Sequence, residues 1–294
     1  MSALATVAAA ILAALTRRPL RRPASPWAPG RWQPPPRPES AVGARVERLL
    51  AEQAPVFRIA HTRDDYCGAF RLVYQAYLQA GLSRPNPFGM RITPFQLLPT
   101  TEVLVAVHRG EVIATLSLVR DGQLGLPMES TYPDEVASLR ARGLYLAEVS
   151  CLADRRHVRQ SDGQPGPACP APATAMRLMS LMAQCAQARG VNQLLIAVHP
   201  RHARFYRRFT AFEPIGGVRT YQAVCNRPAV ALALDIDRAP IEHPELYRRF
   251  FGLPFPPGAL APRPIPSELQ REFEPLVTAS YDGPIAAQLS VVGA

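Results

Sequence analysis

Residues Val191 to Gly216 read VNQLLIAVHPRHARFYRRFTAFEPIG, and the architecture of the chain turns on this stretch. Leu194 to Val198 form an unbroken apolar run, as expected of a strand covered on both faces rather than one with a wet side. His199-Pro200 ends it. Proline lacks a backbone donor but is accepted in the first turn of a helix, so a helix begins there and runs through Arg208. On that helix Ala203, Tyr206 and Arg207 are spaced i, i+3 and i+4, which puts Tyr206 on a definite face where its phenol can donate a proton. A second strand follows toward Gly216.

Upstream, Leu144 to Leu152 reads as a further strand, in which the two-residue period places Glu148 and Ser150 on one face. A carboxylate in the middle of an apolar strand needs a reason. If buried, its pKa rises and it becomes a usable general base for a substrate amine near neutral pH. The plainer alternative is a glutamate paired with one of the many arginines. Cys151 points away from the Glu148 face in this register and has no nearby His-Asp partner, so an acyl-enzyme through its thiol is the weaker route.

Between these strands, Ala173 to Arg189 reads as a helix with Met176, Met179, Leu181, Met182 and Cys185 inward and Gly190 as its C-cap. Nearer the N-terminus, Val56 to Ala60 reads as a short strand, and Asp64-Asp65 as caps of a helix in which Phe70, Val73, Tyr74, Tyr77 and Leu78 repeat at helical spacing. Arg71, Gln75 and Gln79 form its polar edge, with Arg71 closest to the aromatic face. Glu102 to Val107 and Val112 to Arg120, joined by His108-Arg109-Gly110-Glu111, predict a hairpin. Pro133 to Arg142 reads as helix, Val218 to Asp235 as at least one strand, and Pro244 to Phe251 as a short helix before a Pro-rich end. Ser83 to Thr101, with four prolines and the apolar residues Phe88, Met90, Ile92, Phe95 and Leu97, is either a lid over a lipid chain or a loop packed on the core. The order of elements predicts an α/β (α+β) fold with a central mixed β-sheet flanked by helices.

Composition narrows the chemistry. The chain has 294 residues and 48% hydrophobic content, enough for a sizeable core, and its 33 basic residues are all arginine. Without lysine, Schiff-base catalysis and a phosphate-binding P-loop are excluded. Three segments are expected: a flexible Arg/Pro-rich tail over 1–50, a domain over 51–255 and a Pro-rich C-terminal extension over 256–294. The tail holds eight arginines against Glu39 and Glu47, so +6 of the +10 net charge lies there and not on the domain, which argues against a nucleic-acid partner. Its apolar start, residues 3–15, is too short to span a bilayer. It reads as a frayed Ala-rich end or, with Arg17, Arg18, Arg21 and Arg22, as a peripheral membrane contact, the former preferred. Five scattered cysteines with no CxxC suit reduced thiols in the cytoplasm, and His199 with His202 lacks a third ligand, so no metal is expected.

The strand ending at Val198, the Phe205-Tyr206 helix and Ala211-Phe212 resemble the closing part of the GNAT N-acyltransferase fold, with Ala211 where a glycine is usual. Together with Arg71 and the EVSCLAD run from Glu148 to Asp154, over about residues 55 to 255, they resemble the FeeM-type N-acyl amino acid synthases, relatives of the acyl-homoserine-lactone synthases. The resemblance implies direct transfer of a long acyl chain from acyl carrier protein to the amino group of an amino-acid acceptor. In that scheme Glu148 is the base and Tyr206 protonates the leaving thiolate. Arg71 binds the acceptor carboxylate, a backbone N–H near Leu152 polarises the thioester carbonyl, and Ser150 and His199 complete the substrate-binding set.

The GNAT pyrophosphate loop, an Arg or Gln-x-x-Gly-x-Gly or Ala run at a helix N-terminus, fails here at Gln160 to Pro165. Pro165 has no donor and Asp162 repels phosphate. The acyl-phosphopantetheine of a carrier protein therefore fits as co-substrate better than acyl-CoA, with no bound cofactor, and Arg155, Arg156 and Arg159 are its expected docking residues. The alternatives are an acyl-homoserine-lactone-like synthase, a CoA-dependent N-acetyltransferase, and a catalytically silent domain that binds a lipid or a carrier protein.

Overall fold

The computed structural model describes residues 54–155 and 173–281. β1 (Val56–Ile59) leads into α1 (Arg63–Gln79), the hairpin β2 (Thr101–His108) and β3 (Glu111–Arg120), then α2 (Pro133–Ala141), β4 (Leu146–Asp154) and α3 (Ala173–Ala188). Next come β5 (Gln193–Val198), α4 (Pro200–Thr210), the two-residue β6 (Glu213–Pro214), β7 (Arg219–Tyr221) and β8 (Arg227–Asp235). A single turn at Ala239–Glu242 precedes α5 (Pro244–Phe251) and α6 (Ser267–Ser280). The strands form one sheet in the order β1-β2-β3-β4-β5-β8-β6, with β7 also paired to β8. Among the described strands only the central β4–β5 pair is parallel, so the sheet is mixed, as the order of elements predicts.

Period-2 alternation builds the two faces. On β2, Leu104 and Ala106 pack with Leu178, Leu181 and Cys185 of α3, while Val103 and Val105 pack with Tyr66 and Phe70 of α1. All of these side chains are buried, and each large one contributes roughly 1.5–3 kcal/mol by leaving water. Local signals explain the boundaries. Thr62 is the N-cap of α1, and the expected Asp65 completes a capping box with it: the Thr62 hydroxyl accepts from the Asp65 N–H at 3.2 Å and the Asp65 carboxylate accepts from the Thr62 N–H at 3.5 Å. Asp65 also binds Arg58 through two hydrogen bonds of 2.7 and 3.1 Å. In the β2–β3 hairpin Arg109 and Gly110 both have positive φ, the turn whose twist matches antiparallel strands. Val218 to Asp235 yields two strands, reversed at Cys225 and Asn226, which are also left-handed.

Of the two readings of Ser83 to Thr101, the structure shows the loop packed on the core: Met90, Ile92, Phe95 and Leu97 are buried, and a 3₁₀ turn forms at Pro94–Leu97. It is stitched to α1 by Arg91 N–H to Phe70 O at 3.1 Å and to α6 by Ser280 Oγ, which accepts from Ile92 N–H at 3.2 Å and donates to Ile92 O at 3.0 Å. Residues beyond 255, expected as an extension, include α6, whose Phe273 and Val277 are fully buried. Phe273 meets Phe70 edge to face at 5.2 Å. The tail over 1–50 lies outside the described residues. No helix among those described is long and apolar enough to cross a membrane.

Candidate active site

β4 and β5 are hydrogen-bonded neighbours only at Leu146–Gln193, Ala147–Leu194 and Glu148–Leu195. β4 nevertheless continues to Asp154 and β5 to Val198, so beyond Glu148 the two strands part. A bulge marks the divergence. Ser117 of β3 pairs with Ser150 and Thr115 with Ala153, leaving Cys151 and Leu152 opposite the single residue Leu116, and Cys151 takes the left-handed φ of 52°. The extra residue resets the alternation. Cys151 therefore packs with Ala153 against Leu72, Val73 and Ala76 on the α1 side, the face that carries Glu148 and Ser150, contrary to the strict two-residue reading. Val149 and Leu152 face α3.

A cavity occupies the gap and reaches both faces of the sheet. On the α1 side its lining is polar: Glu148, Ser150, Cys151, Arg91, and the phenols of Tyr77, Tyr221 and Tyr281. On the α3 side it is apolar, with Leu152, Ile196, Val198, Met179 and Met182.

Glu148 is 2% exposed and accepts one hydrogen bond, from Met128 N–H to Oε2 at 2.7 Å, supplied by the 3₁₀ turn Pro127–Ser130. Burial pushes its carboxyl up to about 8, and the Met128 N–H only partly offsets that. No arginine pairs with it among the described residues, so the plainer reading of a structural ion pair does not apply. The group is a buried carboxyl that titrates near neutral pH, the property a base for an amine requires.

Arg71 is not part of this site. It sits on the exposed face of α1 and does not line the cavity, because the helical turn that faces the gap is the one carrying Tyr77. The guanidinium inside is that of Arg91, 4% exposed. Arg91 Nη2 donates to Ala223 O at 2.7 Å, and the guanidinium lies 5.2 Å from the Tyr77 ring and 5.6 Å from the Tyr281 ring. Its Nε has no hydrogen-bond partner and it has no carboxylate counterion among the described residues. Sequence reasoning missed Arg91 because it lies in an aperiodic, Pro-rich loop. The one available signal was a lone arginine between two core residues, Met90 and Ile92.

The other expected residues are placed as follows. Ser150 and Leu152 are half-buried in the gap, Leu152 at the bulge. Tyr206, on the inner face of α4, lines the cavity, and burial pushes its phenol up to about 12. His199 caps α4, its Nδ1 accepting from Arg201 N–H at 3.3 Å. Burial, with the charges of Arg201 and Arg227, lowers its pKa. His202 is also buried at the cavity and is pushed down to about 4, again chiefly by burial. Arg155 is engaged in an ion pair with Glu111. Arg156, Arg159 and the Gln160 to Pro165 loop lie outside the described residues. Among those described, no group of three His, Cys, Asp or Glu side chains is arranged to hold a metal ion.

Comparison with known proteins matches this geometry to a family. Residues 68–235 fit the model of the N-acyl amino acid synthase FeeM family. The solved structure of FeeM, an N-acyl amino acid synthase from uncultured soil microbes, is 29% identical and superposes with a TM-score of 0.55 over 62% of this chain and 92% of that one. The AHL synthase LasI, at 14% identity and a TM-score of 0.50 over 69% of this chain and 98% of its own, shares the fold. No curated protein sequence matches the chain.

Proposed function

The chain belongs to the FeeM family of N-acyl amino acid synthases and is an acyltransferase, and from that premise we propose that it moves a long-chain acyl group from acyl carrier protein to the amino group of an amino acid by direct transfer. One observation carries the reading. A single cavity joins a buried carboxyl and a guanidinium, Glu148 and Arg91, neither with a counterion among the described residues, to an apolar channel on the opposite face of the sheet.

A free amino acid presents the complementary pair of groups. Its carboxylate binds Arg91, which takes the role expected of Arg71, and its amine lies against Glu148. The acyl thioester threads the gap with its chain in the apolar half, so its carbonyl sits at the bulge, where backbone N–H groups near Leu152 hold the developing oxyanion. The amine nitrogen attacks the carbonyl carbon and gives its proton to Glu148. The tetrahedral intermediate collapses, the C–S bond breaks, and the thiolate leaves hydrogen-bonded to Tyr206 and takes up a proton from solvent, while Glu148 returns the amine's proton to solvent. Ser150 and His199 line the path of the substrates, and both offer hydrogen-bonding atoms to a pantetheine arm. Because Tyr281 lines the cavity, the catalytic unit in this reading extends past residue 255.

The preference for a carrier protein rests on α4. Its inner face, with His202 and Tyr206, lines the cavity, while Arg201, Arg204, Arg207 and Arg208 are exposed on its outer face. Among the described residues, only Arg207 of these has a carboxylate nearby, Glu213 at 3.5 Å. Such a surface suits an acidic partner that delivers its acyl group into the gap. Arg155, neutralised by Glu111, contributes little to it.

The test is mass spectrometry of products formed by the purified protein from mixed amino acids with acyl carrier protein or acyl-CoA as donor, beside Glu148→Ala. N-acyl amino acids formed by the wild type, faster from the carrier and lost in Glu148→Ala, are expected. Product from acyl-CoA alone overturns the carrier preference, and no product from either donor overturns the reading.

A further inference from the structure

α3 packs an almost wholly apolar face on the sheet, yet past its first turn it carries two polar side chains that are more than nine-tenths buried, Ser180 and Gln184. Both point at one short piece of backbone. Ser180 Oγ donates to Phe250 O. Gln184 Nε2 donates to the same oxygen at 2.8 Å and to Leu253 O at 3.2 Å, while its Oε1 accepts from Phe255 N–H at 2.8 Å. Arg177, one turn earlier on the same stripe, donates to Leu253 O at 2.6 Å and lays its guanidinium 3.6 Å from the Phe255 ring. The orphan carbonyls at the end of α5 and the chain just beyond it are thus bound by name rather than by apolar contact alone. Apolar contact tolerates sliding. Hydrogen bonds to particular carbonyls fix the position of a helix.

What they fix is a wall. α5 presents Leu246, Phe250 and Phe251 to the cavity, on the α3 face of the sheet and therefore on the side away from Glu148, joined there by Ile236 and Ala239. All five follow Asp235, where the match to the family model ends. Phe250 is buried and Leu246 half-buried.

We propose that α5, clamped by Arg177, Ser180 and Gln184, is the stop that sets the length of acyl chain this protein accepts, with Leu246 and Phe250 as the specificity-determining residues. The proposal rests on the acyl-transfer reading for its biological substrate, but it concerns the fit of an alkyl chain to a channel and can be measured without turnover. Each methylene buried in an apolar channel raises affinity about fourfold. A chain longer than the channel has to displace the wall or leave carbons in water, so affinity climbs to an optimum and then falls.

The experiment measures binding of S-alkyl pantetheines, which cannot transfer their chain, across a ladder of even chain lengths to the full-length protein. For the wild type a sharp optimum is expected. Leu246→Phe, which adds bulk at a half-buried position, moves the optimum to a chain about two carbons shorter. Phe250→Leu, chosen over alanine to keep the core filled, moves it to a longer one. Gln184→Leu, which releases the clamp, broadens the decline beyond the optimum. An optimum unchanged in all three folded variants, or no dependence on chain length at all, overturns the proposal. A sharp optimum that moves as described, in a protein that forms no N-acyl amino acid from any donor, upholds the stop and refutes the acyl-transfer reading.

Discussion

On the α3 side of the sheet the cavity wall, Tyr206 apart, consists of side chains that differ mainly in volume. On the α1 side it consists of groups that cannot replace one another. Leu152, Ile196, Val198, Met179 and Met182 each bury apolar surface and stabilise the fold as they shape the channel. Glu148 and Arg91 do the reverse, for each is a buried ionisable group without an opposite charge among the described residues, an arrangement that lowers stability. The contrast teaches where function sits. A fold keeps such groups only where a ligand supplies the missing partner, so the polar half is the place to look for chemistry and the apolar half the place to look for selectivity.

The sharpest way to break this contrast is Glu148→Gln, which preserves shape and removes the titrating group. Activity is expected to fall by roughly 10²–10⁴ in kcat/KM. The wild-type profile of kcat/KM should rise with pH through a midpoint near 8, the value to which burial pushes the Glu148 carboxyl, and the variant should lose that limb. Stability should move the other way. The folded-state pKa of Glu148 is raised, so the protonated carboxyl is compatible with the fold, and its contribution, fully present below about 4.5, is lost as pH rises through about 8. Glu148→Gln escapes that loss. Thermal unfolding should therefore show the variant gaining on the wild type as pH rises from about 4.5 to about 8 and holding a constant lead above that, by an amount on the order of 4 kcal/mol. Equal pH dependence of unfolding in the two proteins would mean that Glu148 is already ionised in the native state.

Next in size is the acceptor site. Arg91→Lys keeps a charge but loses the planar fork, and the KM for the amino acid should rise roughly 10- to 100-fold with a smaller change in kcat. Arg71→Ala, on the exposed face of α1, should leave both within about twofold. The reverse ranking would return the acceptor carboxylate to Arg71 and detach Arg91 from substrate.

This pair also shows what the sequence could disclose. Glu148 was legible because strand periodicity sets a lone carboxylate among apolar neighbours, and β5, α3, α4 and the β2–β3 hairpin were legible because each is a contiguous, periodic segment with its own stop signals. Arg91 was not, since its burial depends on α1, on α6 and on the Ala223 carbonyl, all remote in sequence. α6 was hidden by the prolines that precede it and by Pro275 within it, so composition pointed to an extension while Phe273 and Val277 were core. The face of Cys151 was misread because one extra residue inverts a two-residue period and leaves no local mark. The helix face of Tyr206 was read correctly because α4 is regular throughout.

A smaller effect belongs to Tyr206. Its phenol, pushed up to about 12 by burial, is a far weaker acid than the departing thiol, at about 8.5, so it serves the leaving group as a hydrogen-bond donor more than as a proton source. Tyr206→Phe should lower kcat by roughly five- to tenfold, the worth of one hydrogen bond. A loss as large as that of Glu148→Gln would make the phenol an obligatory acid and shift the chemical burden onto α4.

The smallest expected effect isolates α4 as a support. Ala211 ends the helix with φ 53° and ψ 24°, a left-handed conformation that costs an L-residue about 1 kcal/mol and that glycine adopts freely. Its N–H donates to Tyr206 O, so the strained residue also closes the turn that carries the phenol. Ala211→Gly should raise stability by about 0.5 kcal/mol, since the looser unfolded chain offsets part of the relieved strain, and should shift Tm by one or two degrees. If Tm rises and kcat is unchanged, the strain is a structural remnant that neither half of the cavity uses. A fall in kcat as Tm rises would mean that the stiff alanine cap holds Tyr206 against the gap, and that the polar and apolar halves are coupled through the end of this helix.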